Sequence, residues 1–228
     1  MEQLVFDLAA PRPAEFDNFV AGRNAEVLAV LRRAAAGEAR ETGILLWGPP
    51  GSGRTHRLHA AVAMAKRAGR AASGWEAAPA TDPGAPVAGA LVAVDDVDAA
   101  DDAAQARLFT LYNNLREAGG TLVAAAGSPP ARLALRDDLR TRLSWGLVYE
   151  IHPLPDEEKP VALAEWAQGR GFRLDGEVIA YLLSRGRRDM PSLVGALEEL
   201  DRRSLALKRP ITVPMLRDWM QRSIDERR

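Results

Sequence analysis

The sequence predicts an α/β protein, a parallel sheet flanked by helices, followed by a small all-helical domain. Three observations lead there. Apolar runs that read as buried strands alternate with helix-favouring stretches between Gly43 and Ile151. The first run, Ile44-Leu45-Leu46-Trp47, enters Gly48-Pro49-Pro50-Gly51-Ser52-Gly53-Arg54-Thr55, the strand–turn–helix setting of a phosphate-binding loop. Beyond His152-Pro153-Leu154-Pro155 only helical patterns remain. The expected divisions are an extended tail over 1–13, a nucleotide-binding-type α/β domain over 14–153 and a helical domain over 154–228.

The tail opens Met1-Glu2-Gln3-Leu4-Val5-Phe6-Asp7-Leu8 and runs into Pro11-Arg12-Pro13, which favours an extended chain. Leu4, Phe6 and Leu8 are apolar side chains that need cover. A peptide docking in a partner's groove and an edge strand folding back on its own domain both supply it. A helix is expected from Asn24, as N-cap, to Ala36, then a strand opening at Gly43. A helix over Thr55 to Ala68 follows the loop and stops at Gly69. Ala71 to Ala88, rich in Ala, Gly and Pro, has room for one short strand.

Ala90-Leu91-Val92-Ala93-Val94 reads as a strand buried on both faces, ending in Asp95-Asp96 on the edge where such sheets take ligands. A helix over Ala103 to Ala118 carries Leu108, Leu111, Tyr112 and Leu115 at core-facing spacing, and Gly119-Gly120 ends it. Thr121 to Ala125 is the next strand; Ser128 beyond it either faces the ligand edge or caps the turn. A charged helix over Arg136 to Arg142 and a strand over Leu147 to Ile151 complete the sheet. Helices over 156–168, 175–185, 190–207 and 214–224 make the second domain.

Composition narrows the function classes. Lys and Arg number 30 against 31 Asp and Glu, a net charge of −1, without the basic excess of a dedicated DNA-binding surface. There is no cysteine and no apolar run near membrane-spanning length, so disulfides, thiolate metal sites, secretion and a membrane partner are not indicated, and a cytoplasmic protein is expected. His56 and His59 share a helix face without a neighbouring carboxylate, which suits solvated or packed imidazoles better than a metal pair. In the phosphate loop Arg54 stands where the pattern has Lys. Arg keeps the charge but is longer, planar and forked, so a working site and a loop that has lost its ligand both remain open.

In this order the motifs resemble those of the AAA+ family, and more closely the DnaA-type replication initiators. Five stretches carry the likeness: Asp17-Asn18-Phe19-Val20-x-Gly22; the loop Gly48 to His56 as Walker A; Leu91 to Asp96 as Walker B; Gly127-Ser128-Pro129-Pro130 as sensor I; and Leu139 to Leu147, similar to the initiators' arginine-finger segment. The sequence ends after the helical lid pattern, where the initiators carry a helix-turn-helix domain, and it opens on a Gln-Leu hexapeptide similar to those that dock on the DNA polymerase sliding clamp. It thereby resembles the family of small DnaA-related regulators that inactivate the initiator.

The resemblance implies specific roles. Gln3, Leu4, Phe6 and Leu8 would anchor on the clamp, and Arg142 would be an arginine finger acting in trans on ATP held by DnaA. Gly48, Gly51, Gly53, Arg54, Thr55, Asp95, Asp96 and Ser128 would line the protein's own nucleotide site, with Thr55 and Asp95 holding Mg²⁺ if nucleotide is bound. Pro191 falls where the lid's sensor II Arg is expected, with Arg187 and Arg188 as substitutes, so ADP is the expected ligand if there is one. DNA is expected only as an indirect partner, self-association into a homo-oligomer is left open, and turnover by the protein itself is not expected. The alternative is a self-hydrolysing AAA+ ATPase or loader that remodels a replication protein; a third reading has an Arg-rich lid surface, with Arg185, Arg187, Arg188, Arg202 and Arg203, bind DNA.

Overall fold

The computed structural model describes Phe16, residues 22–76 and residues 87–225. The tail residues Gln3, Leu4, Phe6 and Leu8, and Asp17 to Val20, lie outside them. The described residues divide into an α/β unit ending at Pro153 and a helical unit beginning at Leu154.

In the α/β unit, five strands form one sheet: β1 (Gly43–Trp47), β2 (Ala72–Glu76), β3 (Leu91–Asp95), β4 (Thr121–Ala126) and β5 (Leu147–Glu150). Their order is β2-β3-β4-β1-β5, and every pairing is parallel. The period-2 alternation of strands sorts the core into two layers. Ile44, Leu46, Leu91 and Ala93 pack with α1 (Ala25–Ala36) and α2 (Arg54–Arg67). Leu45, Val92 and Val94 pack with α3 (Asp102–Glu117) and α4 (Asp137–Trp145). Covered on both faces, the central strands read as unbroken apolar runs; edge strand β5 alternates half-buried with exposed positions.

Asn24 corrects an expectation. It stands at the N-cap of α1, but its side chain makes no cap hydrogen bond. Its amide Nδ2 instead donates to the His152 carbonyl at 3.0 Å, and its Oδ1 accepts from the His152 N–H at 2.9 Å. Both backbone groups just past β5 are thereby satisfied by one side chain that is itself buried. Helix α4 also runs three residues beyond its expected end, because Leu139 and Leu143 bury one face and Ser144 donates back to the Arg140 carbonyl.

The helical unit packs α5 (Lys159–Gly169), α6 (Gly176–Arg185), α7 (Met190–Leu207) and α8 (Val213–Asp225) around Leu163, Leu182, Leu193, Leu197, Leu200 and Leu216. Buried Lys159 organises its entry: Nζ donates to Asp156 Oδ1 at 2.5 Å and to the Arg188 carbonyl at 2.6 Å. Arg188 Nη1 meets the other Asp156 oxygen at 2.6 Å. The hydrogen bond from Lys159, ahead of opposing desolvation, holds the Asp156 carboxyl below its usual range. A depressed carboxylate lends stability above its unfolded pKa, about 3.9, and loses it as pH falls through the lower folded value. Acid titration followed by circular dichroism should therefore show the helical unit weakening below about pH 4. Asp156→Asn should flatten that limb while destabilising the unit at neutral pH, since it strips Lys159 of its counter-charge.

Candidate functional site

The loop between β1 and α2 is shaped by its glycines. Gly51 and Gly53 have φ of +77° and +89°, the left-handed region that a side chain disfavours. They turn the chain so that α2 begins at Arg54. Gly48, expected among the phosphate contacts, uses its N–H inside the sheet, donating to the Ala126 carbonyl at 3.2 Å. The loop's donors therefore begin further on. The first intrahelical bond runs from Arg57 N–H to the Gly53 carbonyl, so the N–H groups of Arg54 and Thr55 stand ahead of the ladder, at the positive end of the helix dipole.

One side chain supports this loop from beneath. Arg57 is fully buried, and its Nη1 donates to the Ser52 carbonyl at 2.8 Å. Burial alone pushes its pKa down to about 10. Sequence reasoning missed this residue.

Arg54 lies back along the sheet edge. Its side chain is 12% exposed, and Nη2 sits 3.7 Å from Asp96 Oδ1. With Asp96 60% exposed, solvent screening reduces this pair to about 1 kcal/mol or less. That biases the resting position, yet a multiply charged phosphate can outcompete it. Asp96 adopts φ of +45°, and its N–H donates to Asp95 Oδ1 at 2.9 Å. Asp98, a second residue the sequence did not single out, accepts from the Gly127 N–H at 3.1 Å and so ties the turn after β3 to the end of β4. Half-buried Ser128 follows directly.

These residues fit a nucleotide's phosphates. The loop offers N–H donors, and Ser52 Oγ is buried without a hydrogen-bond partner. Thr55 is exposed at the helix start, while Asp95 is buried at the end of β3. Among the described residues no three His, Cys, Asp or Glu side chains gather as a metal site. Mg²⁺ here would depend on phosphate oxygens besides Thr55 and Asp95, its usual manner of binding.

The second place is the end of α4. Gly146 follows the helix because a Cβ there would collide with the Gly43 carbonyl at the start of β1. Just before that close approach, the Arg142 guanidinium carbon stacks 4.3 Å from the Trp145 ring centroid and 5.7 Å from that of Phe109. Arg142 is half-buried and makes no ion pair among the described residues. In the helical unit, Pro191 lies in the first turn of α7, while Arg187 and Arg188 pair with Asp189 and Asp156.

Comparisons with known proteins bear on the fold and on the helical unit. Residues 156–220 match the family described as Hda, lid domain. AMPPCP-bound DnaA from Aquifex aeolicus is 22% identical, covering 89% of this chain and 69% of its own, with a TM-score of 0.68. Domain III of the Thermotoga maritima replication initiation protein DnaA is 18% identical over 89% of this chain and 93% of its own, with a TM-score of 0.76. The Thermotoga maritima RuvB Holliday junction branch migration motor is 18% identical over 92% and 72%, with a TM-score of 0.70. Of a further match, a DNA replication initiation factor, the chain spans 66% of the length. The sheet and these likenesses show the fold of an AAA+ module, followed by a helical lid unit. The lid match narrows the class over residues 156–220, where the chain carries a lid of the kind described for Hda.

Proposed function

We propose that this chain is a negative regulator of chromosomal replication initiation. It docks on the DNA-loaded sliding clamp and stimulates DnaA to hydrolyse ATP, with Arg142 supplied in trans. The observation that carries the reading is the Hda lid over residues 156–220, joined to a DnaA-like fold. At Arg142, a guanidinium pre-set on α4 against the Trp145 and Phe109 rings supports the finger role, because a planar cation is what stabilises charge on a transferring phosphoryl group. The test is ATP hydrolysis by DnaA from the same organism, with the clamp loaded on DNA, in the presence and absence of this protein. A rise only when clamp and protein are both present is expected; no rise overturns the reading.

Docking is assigned to the tail. Gln3 would offer donor and acceptor at a groove rim while Leu4, Phe6 and Leu8 fill it, and few anchors carry most of such an interface. Gln3→Ala with Leu4→Ala should weaken clamp binding by about 100-fold or more in a surface-capture assay without moving the melting temperature. Retained affinity would sink the tail assignment.

In the protein's own site, ADP with Mg²⁺ is the ligand proposed. Gly51, Gly53, Arg54 and Thr55 would hold the phosphates, Thr55 and Asp95 the metal, and Asp96 and Ser128 would be secondary polar contacts. Bound Mg²⁺ would neutralise phosphate charge. Arg54 stands where the loop pattern has Lys and Pro191 offers no cation, which favours holding a nucleotide over turning it over. Of the lid arginines that could meet DNA, Arg187, Arg188, Arg202 and Arg203 already face Asp189, Asp156 and Glu199, which favours a solvated ionic face. No described helix is long and apolar enough to cross a membrane.

A further inference from the structure

We infer that Trp145 is a positioning residue for Arg142, a cation–π platform that fixes the guanidinium's direction before any partner arrives; the inference rests on the finger reading proposed above. Three observations carry it. Residues 142 and 145 are i, i+3 neighbours on α4, on one side of the helix. The Arg142 guanidinium carbon is 4.3 Å from the Trp145 centroid, well inside the range of a cation–π contact, and 5.7 Å from that of Phe109 on α3. Trp145 is nevertheless 62% exposed, a large aromatic held at the surface where burial does not explain it.

The platform is itself rigidly mounted. Leu139 and Leu143 anchor α4 in the core beside that face, and the close approach of Gly146 to the Gly43 carbonyl fixes where the helix ends. An arginine side chain has several rotatable bonds, and freezing them on association costs affinity or rate. A stack formed in the free protein removes that cost in advance. Arg140, two residues away, shows the contrast: it pairs with exposed Asp137 at 2.5 Å on the surface of the same helix and stacks on no ring among the described residues.

The same tryptophan lines an open cleft of about 480 Å³ with Pro129, Pro130, Ala131, Arg140, Thr141 and Ser144. A role in gripping the partner is therefore the alternative that the experiment must separate. Stimulated hydrolysis is measured against concentration of this protein, with DNA-loaded clamp and DnaA·ATP, for the wild type, Trp145→Ala, Trp145→Phe, Trp145→Leu and Arg142→Ala, alone and combined with Trp145→Ala. Positioning predicts that Trp145→Ala and Trp145→Leu lower the maximal stimulated rate about 5- to 10-fold with little change in the half-saturating concentration. Trp145→Phe should recover to within about 2-fold, and Trp145→Ala should add nothing once Arg142 is gone. A raised half-saturating concentration at unchanged maximal rate, or full activity of Trp145→Leu, overturns the inference. If Arg142→Ala itself keeps stimulation, the finger reading has failed instead, and the two failures are thus distinguishable. Unaltered melting temperature and clamp binding show that each variant is folded.

Discussion

Arg142→Ala is expected to lower stimulated ATP hydrolysis by DnaA about 10³-fold, leaving fold and clamp binding unchanged. The size follows from the chemistry assigned to it. Phosphoryl transfer spreads charge over the γ-phosphate oxygens, and a guanidinium brought to them stabilises that charge without forming a bond. Lysine keeps the charge but lacks the planar fork, so Arg142→Lys should recover only part of the loss. The stability cost is small by contrast. Arg142 makes no ion pair among the described residues, and its stack on Trp145 is partly exposed, worth about 0.5–1 kcal/mol. Function and fold are therefore separable at this position. Single-turnover hydrolysis of DnaA-bound ATP, together with thermal melting of the variant, reads both.

The contrast between legible and hidden features follows from where each is encoded. The sheet strands and α7 could be read because uninterrupted apolar runs and a Leu193, Leu197, Leu200 stripe are local patterns. The phosphate loop could be read for the same reason, since glycine spacing and the following helix lie in one stretch. Asn24 reads as a cap from sequence because caps and long-range amide contacts use the same residue types, and only the fold brings His152, 128 positions away, to it. Asp98 was invisible because its partner, Gly127, sits on another strand's end. The direction of Arg54 could not be read either. A charge substitution shows in a sequence, but its turn towards Asp96 just after β3 is a long-range contact that only the fold supplies.

Arg57 is the sharpest case, and it carries the largest expected stability loss. It sits on α2 among Leu58, Ala60, Ala61 and Ala65, all buried, on a helix whose small residues let the main chain approach the sheet. A charged side chain in that setting reads as surface, yet it is fully buried and reaches the Ser52 carbonyl. Arg57→Ala removes a large packed volume and a charge-assisted hydrogen bond together. The two losses are each worth about 1.5–3 kcal/mol or more, set against relief of the guanidinium's desolvation, which leaves a net of about 3 kcal/mol. For a chain of this size that is a fall in melting temperature of about 6–12 °C. Arg57→Met keeps most of the volume and relieves the same desolvation, so it should cost about 1 kcal/mol. What methionine cannot do is hold the Ser52 carbonyl, and the loop between β1 and α2 should lose its set geometry. Hydrogen exchange at the loop amides is the deciding measurement: faster exchange in Arg57→Met at nearly unchanged global stability assigns Arg57 to the loop, and unchanged exchange assigns it to packing alone.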